Sequence, residues 1–193
     1  MNKFIALVGM AGSGKSVVAD TLINQGYQFF RFGQITIDII RERGLEVNEN
    51  NERAVREGVR KEHGMEAYAI LNIPKIEKFL ESGNVVGDGL YSWSEYKILK
   101  EKFGKSMFVI AVFAPPELRY NRLSSRKHTT DDKDVRFRQM TPEQAKSRDY
   151  AEIENIEKAG PIAMADFTLV NTGTIENLIE QLNLVLNHIE SKK

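Results

Sequence analysis

Residues 9–16 read Gly9-Met10-Ala11-Gly12-Ser13-Gly14-Lys15-Ser16. Phe4-Ile5-Ala6-Leu7-Val8 precedes them and Val17-Val18-Ala19-Asp20-Thr21-Leu22-Ile23 follows. The octapeptide meets the pattern Gly-x-x-x-x-Gly-Lys-Ser/Thr at every fixed position: Gly9, Gly14, Lys15 and Ser16. The apolar run before it suits a short buried strand, and the run after it suits a helix. Strand, glycine loop and helix in that order form a cradle for phosphate.

The residue types follow from that task. Backbone N–H groups must converge on phosphate oxygens, and side chains would block their approach. Gly9, Gly12 and Gly14 leave the space open and accept positive φ. A helix starting near Gly14 turns its free N–H groups and its positive end toward the anion. Lys15 adds a full charge, and the small hydroxyl of Ser16 suits a Mg²⁺ shell.

Composition narrows the rest. The 193 residues are 41% hydrophobic, enough for the core of one domain spanning 1–193. Lys and Arg total 27, balanced by 27 Asp and Glu, so no overall charge calls for a nucleic acid or membrane partner. The absence of cysteine removes disulfides and thiolate chemistry. His63, His128 and His188 are scattered and suggest no metal site. No apolar run approaches the ~18 residues of a membrane span, so a cytoplasmic protein is expected.

Short apolar runs alternate with longer amphipathic ones. Strands are expected at 4–8, 27–32, 85–88, 107–113 and 167–170. Helices are expected at 15–24, 35–43, 52–62, 66–81, 93–103, 116–126, 142–158 and 175–189. This alternation implies a three-layer α/β fold with a five-stranded, mainly parallel sheet. Residues 44–83 are helix-like throughout and read as an insertion on the acceptor side of the phosphate loop. Residues 126–141 are polar and charged and read as a mobile lid.

Three further groups bear on chemistry. Asp88, between Gly87 and Gly89, ends a short apolar run, so a neighbouring strand would bring its carboxylate beside the loop as a Mg²⁺ ligand with Ser16. Arg119, Arg122 and Arg126 recur on one expected helix face, and Arg122 and Arg126 are the candidates for clamping phosphate. Lys127, Arg136, Arg138 and Arg148 are additional cations. Tyr91, Trp93 and Tyr96 are expected to pack a helix on the sheet rather than stack on a base.

These residues in this order resemble the nucleotide kinase branch of P-loop proteins, which includes adenylate kinases and dephospho-CoA kinases. The likeness is strongest to a largely archaeal dephospho-CoA kinase-related family. Arg41-Glu42-Arg43-Gly44-Leu45, Ile73-Pro74-Lys75-Ile76, Asp88-Gly89, Phe103-Gly104 and Ala165-Asp166 carry it. The resemblance implies a P-loop NTPase fold and ATP with Mg²⁺ as cofactors. Residues 9–16 would hold the nucleotide, and Lys15, Asp88, Arg122 and Arg126 would act in phosphoryl transfer to a small-molecule acceptor.

The acceptor side departs from those relatives. An acid, and often an arginine three residues on, usually follow their second strand. This chain has Gly33-Gln34-Ile35-Thr36-Ile37, and no arginine follows Asp88-Gly89 in Leu90-Tyr91-Ser92. Acceptor cations would have to come from Arg41, Arg56, Arg60 or the Arg122/Arg126 pair, with apolar contact from Ile35, Ile37 and Tyr91. A small-molecule kinase is the first expectation. An NTP-binding regulator that hydrolyses slowly is the second.

Overall fold

The computed structural model describes residues 2–126 and 139–191. Most of the expected lid, with Lys127, Arg136 and Arg138, lies outside the described residues. The order is β1 (Phe4–Val8), α1 (Lys15–Asn24), β2 (Gln28–Arg31), α2 (Gln34–Glu42), α3 (Glu49–His63), α4 (Ala67–Ser82), β3 (Val85–Asp88) and α5 (Trp93–Phe103). Then come β4 (Met107–Phe113), α6 (Pro116–Ser124), α7 (Pro142–Ile156), α8 (Ala159–Ala163), β5 (Phe167–Val170) and α9 (Ile175–Ser191).

The strands form one sheet in the order β2-β3-β1-β4-β5. Every pairing is parallel. A parallel sheet is covered on both faces, which is why β1 is buried at all five positions and reads as an unbroken apolar run. Ile5 and Leu7 face α1 and α9 through Val18, Leu22, Leu178 and Leu182. Phe4, Ala6 and Val8 face α4 and α5 through Ala69, Ile76 and Leu99. Burying each such aliphatic side chain contributes about 1.5–3 kcal/mol, so the two faces hold the sheet as the middle of three layers. A separate cluster of Ile40, Val55, Val59, Ala67 and Tyr68 holds α2, α3 and α4 together between β2 and β3.

Local signals set most boundaries. Ser92 and Glu95 form a capping box at the start of α5, as Thr141 and Gln144 do for α7. Two helices stop two residues short of the expected end. α6 stops at Ser124, so Arg126 is beyond the helix and shares no helical face with Arg119 and Arg122. The hydroxyls of Ser124 and Ser125 donate to the Asn121 carbonyl, and the returning chain caps the end through Met140 N–H to Leu123 O and Gln139 Nε2 to Ser124 O. α7 stops at Ile156 because Glu157 turns left-handed, with φ 54°, and α8 then begins as a separate short helix. Among the described residues no helix is long and apolar enough to cross a membrane.

Candidate functional site

The sheet decides where the site lies. β1 and β3 are neighbours with Leu7 opposite Asp88. The loop leaving β1 and the carboxylate ending β3 therefore emerge side by side at the carboxyl edge, where open parallel sheets bind ligands.

The loop has the shape its glycines permit. Gly9, Gly12 and Gly14 have φ of 143°, 78° and 108°. A Cβ on Gly9 would strike the Val112 carbonyl, one on Gly12 the Arg119 carbonyl at 2.8 Å, and one on Gly14 the side-chain amide of Asn171. Distant segments brace this backbone. Asn171, after β5, donates from Nδ2 to the Ser13 carbonyl at 2.7 Å. Arg119 donates from Nη1 to the Ala11 carbonyl and from Nε to the Ala114 carbonyl, each at 3.0 Å. The Lys15 ammonium donates to the carbonyls of Gly9 at 2.8 Å and Met10 at 3.1 Å, so it lies folded over the loop.

A second tier of charge surrounds Lys15. Burial first, and then the nearby Lys158, drop its pKa from the ordinary 10.5 to about 8; Asp88 and Glu152 pull upward and Arg148 downward. Lys158 is 2% exposed. It donates to Glu152 Oε2 at 2.6 Å, while Arg148 Nε donates to Oε1 at 2.8 Å. Burial would raise the Glu152 carboxyl, but Lys158 and Arg148 outweigh it and hold the pKa at about 2. Asp88 Oδ1 is buried and has no hydrogen-bond partner among the described residues.

The predicted arginines separate. Arg119 is buried in an ion pair with Asp149 of α7, Nη1 to Oδ1 at 3.0 Å, and braces the loop from below. Arg122 reaches the loop indirectly, donating from Nη2 to the backbone and side-chain oxygens of Asn171 at 3.0 and 3.3 Å. Its Nη1 is buried without a partner among the described residues. Arg126 is in the segment leading out of α6.

The aromatic residues also divide. Trp93 and Tyr96 stack at 5.0 Å, and Trp93 packs on Gly160 of α8, so these two seat helices. Tyr91 instead places its ring 4.9 Å from the Lys158 ammonium and its hydroxyl beside Gly33 and Gly89. Ile37 is buried. Ile35 packs on the α2–α4 cluster and lines a cleft of about 500 Å³ with Ile39, Val55 and Leu71. Tyr91 packs instead on the core between the sheet and α4 and α5, so Ile35 and Tyr91 belong to different clusters.

Among α2, α3 and α4, Arg60 of α3 places its guanidinium 5.2 Å from the ring of Tyr68, whose hydroxyl bonds Thr36 at 2.6 Å. Arg60 Nε is buried and unpartnered among the described residues. Glu95 is fully buried, and its Oε2 accepts from the N–H groups of Tyr91 and Ser92 at 3.0 and 3.2 Å. Burial raises its pKa to about 7 against those donors and Arg60. Sequence reasoning did not single out Glu95, Glu152 or Lys158. Glu95 did leave a trace in its capping-box spacing from Ser92, and Glu152 in its i,i+4 spacing from Arg148.

Comparison with known proteins bears on the family and the fold. The AAA domain family matches residues 5–157. A UPF0200/UPF0201 protein of Archaeoglobus fulgidus is 35% identical over 95% of the chain, which spans only 55% of that relative's length. A UPF0200 protein of Thermococcus kodakarensis is 31% identical over 97% of the chain and 98% of its own length. The solved structure of an unliganded sugar kinase from Janibacter sp. HTCC2649 overlays with a TM-score of 0.59, covering 97% of this chain and 95% of its own at 16% identity.

Proposed function

Because the chain belongs to the AAA domain family and to the UPF0200 proteins, we propose that it is an ATP-dependent phosphotransferase acting on a small-molecule acceptor. One observation carries this reading. Three left-handed glycines shape a loop whose lysine is already folded over it, next to a strand-end carboxylate with an unpartnered buried oxygen. The cradle that a Cβ would fill and the free oxygen of Asp88 both fit nucleotide with Mg²⁺. Residues 9–16 would hold the phosphates, and Ser16 and Asp88 the metal. Bound there, the metal would neutralise phosphate charge.

The protein's own contribution is positioning and fixed charge. Lys15 orients the phosphates, and Arg122 and Arg126 supply charge from the α6 side. The acceptor lies toward α2, α3 and α4, where Arg60 offers an unused donor for it. Gln34 is half-buried and donates from Nε2 to Asp38 Oδ1 at 2.9 Å, so the position of the usual acid after β2 supplies no base. The likeness to dephospho-CoA kinase-related proteins favours a nucleotide or nucleotide-like acceptor that does not depend on a charge at positions 34 and 37.

The test is ADP release from ATP·Mg²⁺ across AMP, CMP, UMP, GMP, the deoxynucleotides, dephospho-CoA and simple sugars. One acceptor raising the rate well above the acceptor-free rate supports the assignment. An equal rate with every acceptor assigns the protein instead to slow hydrolysis or regulation. Failure to bind ATP at all removes the reading.

A further inference from the structure

We propose that Lys158 is a second phosphate-directed cation of the donor site, delivered by the turn between α7 and α8 and positioned by Glu152. This rests on the nucleotide-binding reading of residues 9–16.

The first ground is placement. Among the described residues Lys158 is one of the most buried charged side chains, and it is held at three points: Glu152 at 2.6 Å, the Tyr91 ring at 4.9 Å, and the left-handed turn that precedes it. Glu157 is the only non-glycine with positive φ among the described residues. Side chains disfavour that conformation, and it tends to persist where function requires it. Here it ends α7 and directs the next side chain inward. Gly160, packed so closely on Trp93 that a Cβ would lie 3.0 Å from its ring, seats α8 close behind.

The second ground is charge. Lys158, Arg148, Asp88 and Glu152 all act electrostatically on Lys15. With Lys15 that makes three cations against two carboxylates, while Glu95, which also interacts with Lys158, is a third carboxyl that burial keeps largely protonated below about pH 7. A counter-ion for Glu152 alone would need one cation, yet Arg148 and Lys158 both engage it. Of the three cations only Lys158 is fully buried, and burying it beside two further cations is unfavourable until an anion joins them. A polyphosphate is the anion whose cradle adjoins them. Lys158 approaches from the side of Tyr91 and Gly89, toward the acceptor, so its effect falls on the terminal phosphate rather than on those nearest α1.

The experiment measures ATP and ADP binding by calorimetry for the wild type, Lys158→Gln and Lys158→Arg, without any acceptor. Loss of one charge-assisted contact predicts ATP affinity lower by about 10- to 100-fold in Lys158→Gln, with a smaller loss for ADP. Lys158→Arg is expected to keep most of the preference for ATP. Equal weakening toward ATP and ADP, or no change, overturns the proposal while leaving the loop assignment standing. No binding of either nucleotide by the wild type overturns the loop assignment itself. If Lys158→Gln fails to fold by circular dichroism, a wild-type co-crystal with a non-hydrolysable ATP analogue decides. Lys158 Nζ within about 3.2 Å of a phosphate oxygen supports the proposal, and a greater distance overturns it.

Discussion

Asn171 and Ser13 are 158 positions apart, and a 2.7 Å hydrogen bond from the Asn171 amide to the Ser13 carbonyl ties the end of the sheet to the phosphate loop. The same asparagine accepts from Arg122 and occupies the space that any Cβ on Gly14 would need. Loop shape is thus imposed from outside the loop.

The Gly14→Ala protein should fold less stably and lose nucleotide binding, because φ of 108° and the Asn171 amide both oppose the methyl. Asn171→Ala should cost about 1–3 kcal/mol by stranding the buried Ser13 carbonyl. Urea unfolding and nucleotide titration on both variants check this. A Gly14→Ala protein that binds ATP like the wild type would show that the loop relaxes freely.

Lys15→Ala should fold normally yet turn over ATP roughly 10²- to 10³-fold more slowly, the usual effect of removing one preorganised charge. Asp88→Asn should weaken the Mg²⁺ dependence of ATP binding, since it alters the one strand-end carboxylate beside the loop. Mg²⁺ titrations that superimpose on the wild type would reduce Asp88 to a turn residue.

The pH dependence has two opposite signs. Lys15 falls from 10.5 to about 8 in the folded protein, chiefly through burial and Lys158. Phosphate favours its charged form, so ATP affinity should fall as pH rises through 8, by at most ~10-fold per pH unit. Stability of the free protein runs the other way. Between 8 and 10.5 the unfolded chain binds more protons at this site, so this contribution rises with pH. Parallel ATP titrations and urea melts across that range test the pair; ATP affinity that stays flat would contradict the first sign.

Glu95 is the converse case. Its folded pKa is raised from 4.5 to about 7, so the native state binds more protons in that window and this contribution to stability falls as pH rises through it. Glu95→Gln keeps the capping geometry and removes the buried charge. It should stabilise the protein by about 1–3 kcal/mol above pH 7 and be close to neutral below pH 4.5. Urea midpoints at the two extremes give the answer, and an equal effect at both would remove the titration argument.

Most of the framework was legible in the sequence. Four of five strands have the expected bounds: β1 and β4 are unbroken apolar runs, and β3 and β5 are short apolar stretches holding Val85-Val86 and Leu169-Val170. The parallel order followed from strands alternating with helices. What escaped was decided by contacts between remote segments. Nothing near Lys158 announces that Glu157 will turn left-handed and aim it at Lys15. Arg119 and Arg122 have the spacing of a solvated helix face, and only the fold shows one buried against Asp149 and the other on Asn171. Arg126 was assigned to that face because helical pattern alone did not register the competing hydroxyls of Ser124 and Ser125.

The hydrogen bonds that brace the loop come from Arg119 and Asn171, both far downstream, and Val112 limits the space at Gly9. During synthesis residues 9–16 leave the ribosome early, but their last support arrives only with the end of the sheet. The nascent chain therefore carries the full phosphate-binding sequence long before it has a place to put phosphate. Nucleotide binding to the finished cradle would therefore stabilise the nearly complete domain rather than an early intermediate. A fragment ending before β5 would match every fixed position of the motif and still lack the cradle.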